Sequence, residues 1–194
     1  MTSQRLPEKE DILQARKNEM VRIILIGYMG AGKTTLGKAL AKALGFQFVD
    51  LDWYIENRYR KSVKEIFSEK GEDGFRKIEQ SMLHETAEFE NIIISAGGGT
   101  PCFFDNISYM NRQAKTVYLK TSNDVLFHRL KIAKSKRPLL AQKTDDELKA
   151  FIEKNLEERE PFYSKADYIF SADRLEDKFQ IDESVNKLRT LLNI

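Results

Sequence analysis

The chain has 194 residues, of which 32 are basic and 30 acidic, for a formal net charge of +2 at neutral pH. So even a balance excludes whole-surface attraction to nucleic acid or an anionic membrane, and any basic site must be local. With 41% hydrophobic and 32% charged residues, the composition suits one soluble globular domain with a real core.

No run reaches the ~18 apolar residues of a membrane span. The single cysteine, Cys102, cannot close an internal disulfide, which points to a reducing cytoplasm. It lacks a ligand-type cluster and reads as an ordinary small residue rather than a nucleophile. Residues 1–20 are polar and mixed in charge, with neither the apolar core of a signal peptide nor the look of a transit peptide. They are expected to form a tail ahead of a single domain over residues 21–194.

The domain opens with an apolar run at residues 21–26, read as a buried strand. Gly27-Tyr28-Met29-Gly30-Ala31-Gly32-Lys33-Thr34-Thr35 follows and fits the P-loop pattern. Apolar residues at helical spacing then run over 35–44, and Gly45 serves as a stop. The chemistry explains the residue types. Glycines let backbone N–H groups converge on one anion, and the helix N-terminus adds partial positive charge. Lys33 can reach the β- and γ-phosphates, and the Thr34 hydroxyl can ligate Mg²⁺.

A second strand is predicted at 46–50, ending in the acidic pair Asp50 and Asp52. A helix over 53–60 comes next. A short helix then starts on a capping box of Ser62 and Glu65 and ends at Gly71. An amphipathic helix is predicted over 74–89, with Phe75, Ile78, Met82, Leu83 and Ala87 on one side. Residues 91–95 read as a buried strand leading into Gly97, Gly98 and Gly99. A short helix over 105–112 precedes a strand at 116–119. Ser122 is expected to cap a helix reaching 130 or 132. Residues 134–144, basic and interrupted by Pro138, read as a loop. A helix over 145–160 is expected to end at Pro161. A last strand at 168–170 and a helix over 182–192 close the chain.

Strands alternating with helices predict a three-layer α/β/α fold around a central parallel sheet. Ligands of such sheets bind at the carboxyl ends of the strands, and that rule gathers the P-loop, Asp50/Asp52 and the three glycines on one rim. There Asp50 would partner Mg²⁺, because hard oxygen ligands suit that ion. Asp52 would bond a substrate hydroxyl and could take its proton. Three glycines after an apolar strand make sense where the backbone approaches a ligand closely. Arg76 and Arg159 each stand at a helix end, and an arginine pair is what a carboxylate substrate needs. Arg137, in the basic loop, could close over phosphates and neutralise transition-state charge.

Taken together, these segments resemble the shikimate kinase family of nucleoside-monophosphate-kinase-like P-loop proteins. The resemblance runs from residue 21 to 192. It rests on GYMGAGKTT, the DLD triplet at 50–52, GEDGFRKIE at 71–79, SAGGG at 95–99, RPLL at 137–140 and EEREPFYSKAD ending at Asp167. It implies a five-stranded sheet, a mobile lid at about 134–145, and ATP-dependent phosphorylation of the 3-hydroxyl of shikimate. That reaction is a step toward chorismate and the aromatic amino acids. Gly30, Ala31, Gly32, Lys33, Thr34 and Thr35 would hold the ATP phosphates, with Mg²⁺ on Thr34 and Asp50. Arg129 would contact adenine. Asp52, Arg76, Gly97, Gly98, Gly99 and Arg159 would bind shikimate, Glu79 would orient Arg76, and Phe67 and Phe75 would wall the pocket. Lys33, Asp52 and Arg137 would carry the catalysis. Residues 171–182 depart from the family pattern, leaving Arg174 and Gln180 as candidates for adenine contacts.

A gluconate or nucleoside-monophosphate kinase is the second enzyme reading, and Arg76, the glycine triplet and Arg159 argue against it. A nucleotide switch of the GTPase type should show an NKxD motif, which the sequence lacks. A monomer is expected, since no large apolar surface stripe is evident.

Overall fold

The computed structural model describes residues 21–133, 140 and 142–194. The N-terminal tail and Arg137 lie outside these described residues, as do 134–139 and 141 of the expected lid. Five parallel strands form one sheet in the order β2-β3-β1-β4-β5. They are β1 (Arg22–Ile26), β2 (Gln47–Asp50), β3 (Ile92–Ser95), β4 (Lys115–Lys120) and β5 (Tyr168–Ser171). Central β1 pairs with β3 from Arg22↔Ile92 onward and with β4 from Ile23↔Lys115 onward.

Consecutive residues of a strand face opposite sides of the sheet. Ile23, Ile24, Leu25 and Ile26 are all fully buried, as are Ile92, Ile93 and Ile94. Both faces are therefore covered, which is why these strands read as unbroken apolar runs. The covering helices are α1 (Lys33–Leu44), α2 (Leu51–Tyr59), α3 (Val63–Ala87), α4 (Asn106–Gln113), α5 (Asn123–Ile132), α6 (Asp145–Tyr163) and α7 (Lys178–Leu192). No helix among the described residues is long and apolar enough to cross a membrane.

Most predicted elements appear within a few residues of their expected bounds. Gly45 ends α1 in the left-handed conformation. The Ser62/Glu65 capping box forms at the start of α3. Four details differ. Asp50 ends β2 and caps α2, its carboxylate accepting from the Trp53 N–H, so Asp52 stands in the first turn of a helix and not on a strand end. Ser122 occupies the cap position of α5, but its side chain makes no capping bond. Helix α6 runs through Pro161 to Tyr163. Proline lacks the N–H that would bond the Glu157 carbonyl. Glu157 is exposed, so water can satisfy that carbonyl, and the Ser164 N–H resumes the ladder on Glu160. Helix α7 starts four residues early because the Asp177 carboxylate accepts from the Gln180 N–H at 2.8 Å.

Gly71 breaks α3 into the two helices the sequence predicts. Its φ of 68° with ψ of −178° is a region that side-chain-bearing residues rarely enter. The break lets Ser62 start one helix while Phe75, Arg76 and Glu79 face the strand ends from the next. Gly71→Ala should therefore lower the unfolding free energy by about 1–3 kcal/mol in a urea titration. Nothing lies within 4 Å of the added Cβ, so the loss would come from the backbone alone. An unchanged midpoint would show that the break is not held.

Candidate active site

The loop between β1 and α1 curls under the start of the helix. Gly32 takes the cap position with φ 94° and has no side chain with which to cap the first turn. That end of α1 is therefore left polar, positive and open, as an anion site requires. Lys33 folds back over the loop, donating to the Gly27 carbonyl at 2.8 Å and the Tyr28 carbonyl at 3.0 Å. The Thr34 hydroxyl donates to Asp50 at 2.9 Å, tying α1 to the end of β2.

A cavity of about 480 Å³ opens above this loop. Gly30, Gly32, Lys33, Thr34, Thr35, Asp50, Asp52, Gly97 and Gly98 are among its lining residues, with Arg129, Leu175 and Glu176. Ala31 is buried beneath and is not among the lining residues. Arg174 and Gln180 do not line the cavity. Gln180 is spent on structure, its side chain accepting from the Glu176 N–H at 3.1 Å. Arg129 lines the cavity, and its guanidinium already bonds the carbonyls of Ala172 at 3.0 Å and Asp173 at 3.1 Å. It also pairs with Glu176 at 2.7 Å.

The glycine triplet after β3 shows why those residues are glycines. Their φ values are ordinary, so conformational freedom is not the reason. Space is. A Cβ on Gly97 would lie 2.9 Å from a Glu79 carboxylate oxygen and 3.0 Å from Asp52 Oδ1. A Cβ on Gly98 would meet Arg159 Nη1 at 3.5 Å, and one on Gly99 would meet Arg76 Nη2 at 2.8 Å. Three successive glycines thus lie against two acids and two guanidinium groups. Gly99, Arg76 and Arg159 are not among the cavity's lining and stand beside it along this strip.

Glu79 is 1% exposed and holds the strip from below. Its carboxylate takes Arg76 Nη1 at 2.7 Å and the Thr100 hydroxyl at 2.6 Å. Phe103 covers the Arg76 guanidinium, ring centroid 4.0 Å from Cζ, and the stacked rings of Phe67 and Phe75 stand at 5.7 and 5.2 Å. Arg76 Nε is buried with no hydrogen-bond partner. Thr100 and Phe103 escape a sequence reading, since each acts across a long span of chain. The one local signal is the aromatic pair Phe103-Phe104 so soon after the glycines.

Asp52 opens onto the cavity yet is crowded on its protein side. That burial, with the charges of Asp50, Glu79 and Glu56, pushes its carboxyl up from 3.8 to about 6, against the pull of Lys33. Cys102 is half-buried, and burial pushes its thiol up to about 11 despite Arg159 and Arg76. It stays a neutral thiol at pH 7, which leaves it a poor nucleophile. Among the described residues, no group of three or more His, Cys, Asp or Glu side chains gathers for a metal.

Removing the Glu79 side chain would leave the largely buried Arg76 to its longer, 3.4 Å contact with the exposed Glu72. Glu79→Ala should cost about 3–5 kcal/mol of stability, read from chemical unfolding, and Glu79→Gln should cost less. A Glu79→Ala protein as stable as the parent would mean that the pair is dispensable.

Comparison with known proteins bears on what this cleft belongs to. The family model described as shikimate kinase matches residues 29–191. A shikimate kinase of Bacteroides thetaiotaomicron is 61% identical over 175 residues, 90% of this chain and all of the relative. The crystal structure of shikimate kinase from that organism superposes with a TM-score of 0.88, covering 90% of this chain and 99% of that one. A shikimate kinase from Acinetobacter baumannii, solved in complex with shikimate, is 30% identical with a TM-score of 0.77, covering 93% and 97%. The match spans the P-loop, the acidic pair, the glycine strip and both arginines, and the chain belongs to the shikimate kinase family.

Proposed function

We propose that the cleft transfers the γ-phosphoryl group of ATP to the 3-hydroxyl of shikimate, giving ADP and shikimate 3-phosphate. The observation that carries this reading is the glycine strip, where Asp52, Arg159 and Arg76 each occupy the space beside one glycine. Two guanidinium groups suit a carboxylate, and a carboxylate suits hydroxyls. The partnerless Nε of Arg76 is a donor that a bound carboxylate would satisfy. A gluconate or nucleoside-monophosphate kinase finds no comparable support. The chain would work as a monomer in the cytoplasm, with ATP and shikimate as its small-molecule partners.

The roles follow from position. Gly30, Ala31, Gly32 and Thr35 offer backbone N–H groups to the ATP phosphates, and Lys33 swings from the loop carbonyls to the β- and γ-phosphates. Arg129 would stack on or bond adenine while keeping its hold on the loop after β5. The Thr34 hydroxyl and Asp50 carboxylate are hard oxygen donors already in contact, which fits Mg²⁺ held mainly by phosphates and water. When bound, Mg²⁺ would neutralise charge on the phosphates. Arg76, positioned by Glu79, and Arg159 grip the shikimate carboxylate. Gly97, Gly98 and Gly99 leave room for the side chains that would meet the ring, Asp52, Arg159 and Arg76. Asp52 orients the 3-hydroxyl and takes its proton. Arg137 would add positive charge as the lid closes and water is excluded. Phosphoryl transfer proceeds through a loose transition state, so positioning and charge matter more than early proton removal.

Shikimate-dependent ADP release with ATP and Mg²⁺ is the expected result. Brisk turnover of gluconate or a nucleoside monophosphate, with none of shikimate, would overturn the reading. Arg76→Ala should raise the shikimate KM by about 10- to 100-fold while leaving the ATP KM near its parent value. Lys33→Ala should lower kcat by about 100-fold or more.

Asp52 must be ionised to accept a proton, and its carboxyl titrates near 6. The acid limb of kcat/KM for shikimate should therefore fall below about pH 6, not near 4. The stability dependence carries the opposite sign. A raised carboxyl favours the folded state at low pH, and that contribution is lost as pH rises through 6. Asp52→Asn should thus raise Tm relative to the parent at pH 8, with a smaller gain at pH 4.5 that vanishes below 3.8. An acid limb near 4, or a Tm gain confined to low pH, would contradict the assignment.

A further inference from the structure

Tyr163 is the last residue of α6 and is fully buried. It is a large polar side chain in the core, and such groups keep their place only when the polar atom is satisfied. Its hydroxyl donates to the carbonyl of Gly98 at 2.5 Å. Gly98 is the middle residue of the strip, 65 positions earlier in the chain.

Arg159 stands four residues before Tyr163, on the same face of α6. Its Nη1 lies 3.5 Å from where a Cβ on Gly98 would be. Its guanidinium also sits over the Tyr28 ring, 5.6 Å from the centroid, at the mouth of the P-loop. Tyr163, Gly98 and Arg159 therefore form a closed triangle in which helix, strip and guanidinium meet. Arg159 further acts on the Tyr163 phenol as a charge and hydrogen-bond neighbour, against the burial that raises it. Tyr118 packs on Tyr163, ring centroids 5.1 Å apart, but sends its own hydroxyl to Glu160.

We propose that Tyr163 is a positioning residue of the acceptor pocket, its hydroxyl fastening the Gly98 carbonyl to α6 so that Arg159 stands at a fixed distance from the glycine strip. This rests on the proposed reaction, in which Arg159 and Gly98 face shikimate. Without the hydroxyl, the Gly98 carbonyl loses its partner and the strip can shift against the helix. Binding of the acceptor would suffer, while the phosphate loop, which meets Gly98 through the backbone of Gly27 and Met29 but is anchored by α1 and the Thr34 to Asp50 bond, would keep its place.

The test is steady-state kinetics of the full chain with both substrates varied. The parent, Tyr163→Phe, Tyr118→Phe, Arg159→Lys and the Tyr163→Phe/Arg159→Lys double variant would be compared. Tyr163→Phe should raise the shikimate KM about 5- to 10-fold, keep the ATP KM within about twofold, and retain a cooperative melt. Tyr118→Phe removes a neighbouring hydroxyl that does not touch the strip, and its shikimate KM should match the parent. In the Arg159→Lys background, Tyr163→Phe should have less effect than in the parent, because the two act through one geometry. A shikimate KM unchanged in Tyr163→Phe would overturn the proposal, as would an equal rise in both KM values or effects that multiply fully in the double variant. Loss of the cooperative melt in Tyr163→Phe would assign the hydroxyl to folding and overturn it too. A parent chain inactive on shikimate would instead overturn the reaction itself, so the two failures are distinguishable.

Discussion

The acceptor side of the cleft depends on one buried carboxylate. Glu79 comes from the middle of α3, bonds Arg76 one turn earlier on the same helix, and bonds Thr100 just past the glycine strip. A buried carboxylate is tolerable only when its lone pairs are filled, and here a guanidinium and a hydroxyl fill them. The same atoms therefore satisfy Glu79, fix Arg76, and bring the turn after β3 against α3. Gly97 must be glycine because a Glu79 oxygen already occupies the place of its Cβ. The Gly71 break is what allows this: a straight α3 could not both start at Ser62 and present Glu79 to the strand ends.

The phosphate side depends on much less. One continuous run of chain, from the end of β1 into the first turn of α1, supplies the loop glycines, Lys33 and Thr34. It is tied to the rest of the rim by the Thr34 to Asp50 bond and by Arg129, which donates to the Gly30 carbonyl at 3.4 Å. Asp50 is shared economically, one oxygen accepting from Thr34 and the other capping α2. That cap sets the helix whose first turn carries Asp52. A single strand-end aspartate thus sets the spacing between the phosphate loop and the group that would meet the acceptor hydroxyl.

The strands were legible because both faces of a parallel sheet are buried, which leaves unbroken apolar runs such as Ile23 to Ile26 and Ile92 to Ile94. The P-loop, the Ser62/Glu65 box and Gly71 were legible because each is a local pattern with a local cause. Pro161 misled for a physical reason: a proline in an exposed last turn frees a carbonyl that water can reach, so the helix need not stop. Asp52 was set on a strand because alternation in Asp50-Leu51-Asp52 looks the same whether or not Asp50 caps a helix. Three glycines after an apolar strand signal close approach, and in the structure the approaching groups are the protein's own Glu79, Asp52 and Arg76. Those contacts, like Phe103 on Arg76 and Tyr163 on Gly98, join segments from about 20 to 65 residues apart, and no periodicity encodes them.

The strip has a consequence for how such a cleft can diverge. Two of the three glycines are moulds of side chains elsewhere: a Cβ at 99 would lie 2.8 Å from Arg76 Nη2, and one at 97 would lie 2.9 Å from Glu79 and 3.0 Å from Asp52. Losing Arg76 alone leaves a void beside Gly99, and filling position 99 alone unseats Arg76. Neither half of the change is tolerated without the other. A lineage that moved to a different acceptor would have to replace residues in coupled pairs, so the path between acceptors is narrow. The phosphate loop meets the strip at Gly98 and Arg159, through Gly27, Tyr28 and Met29, and so lies outside the two crowded pairs at 97 and 99.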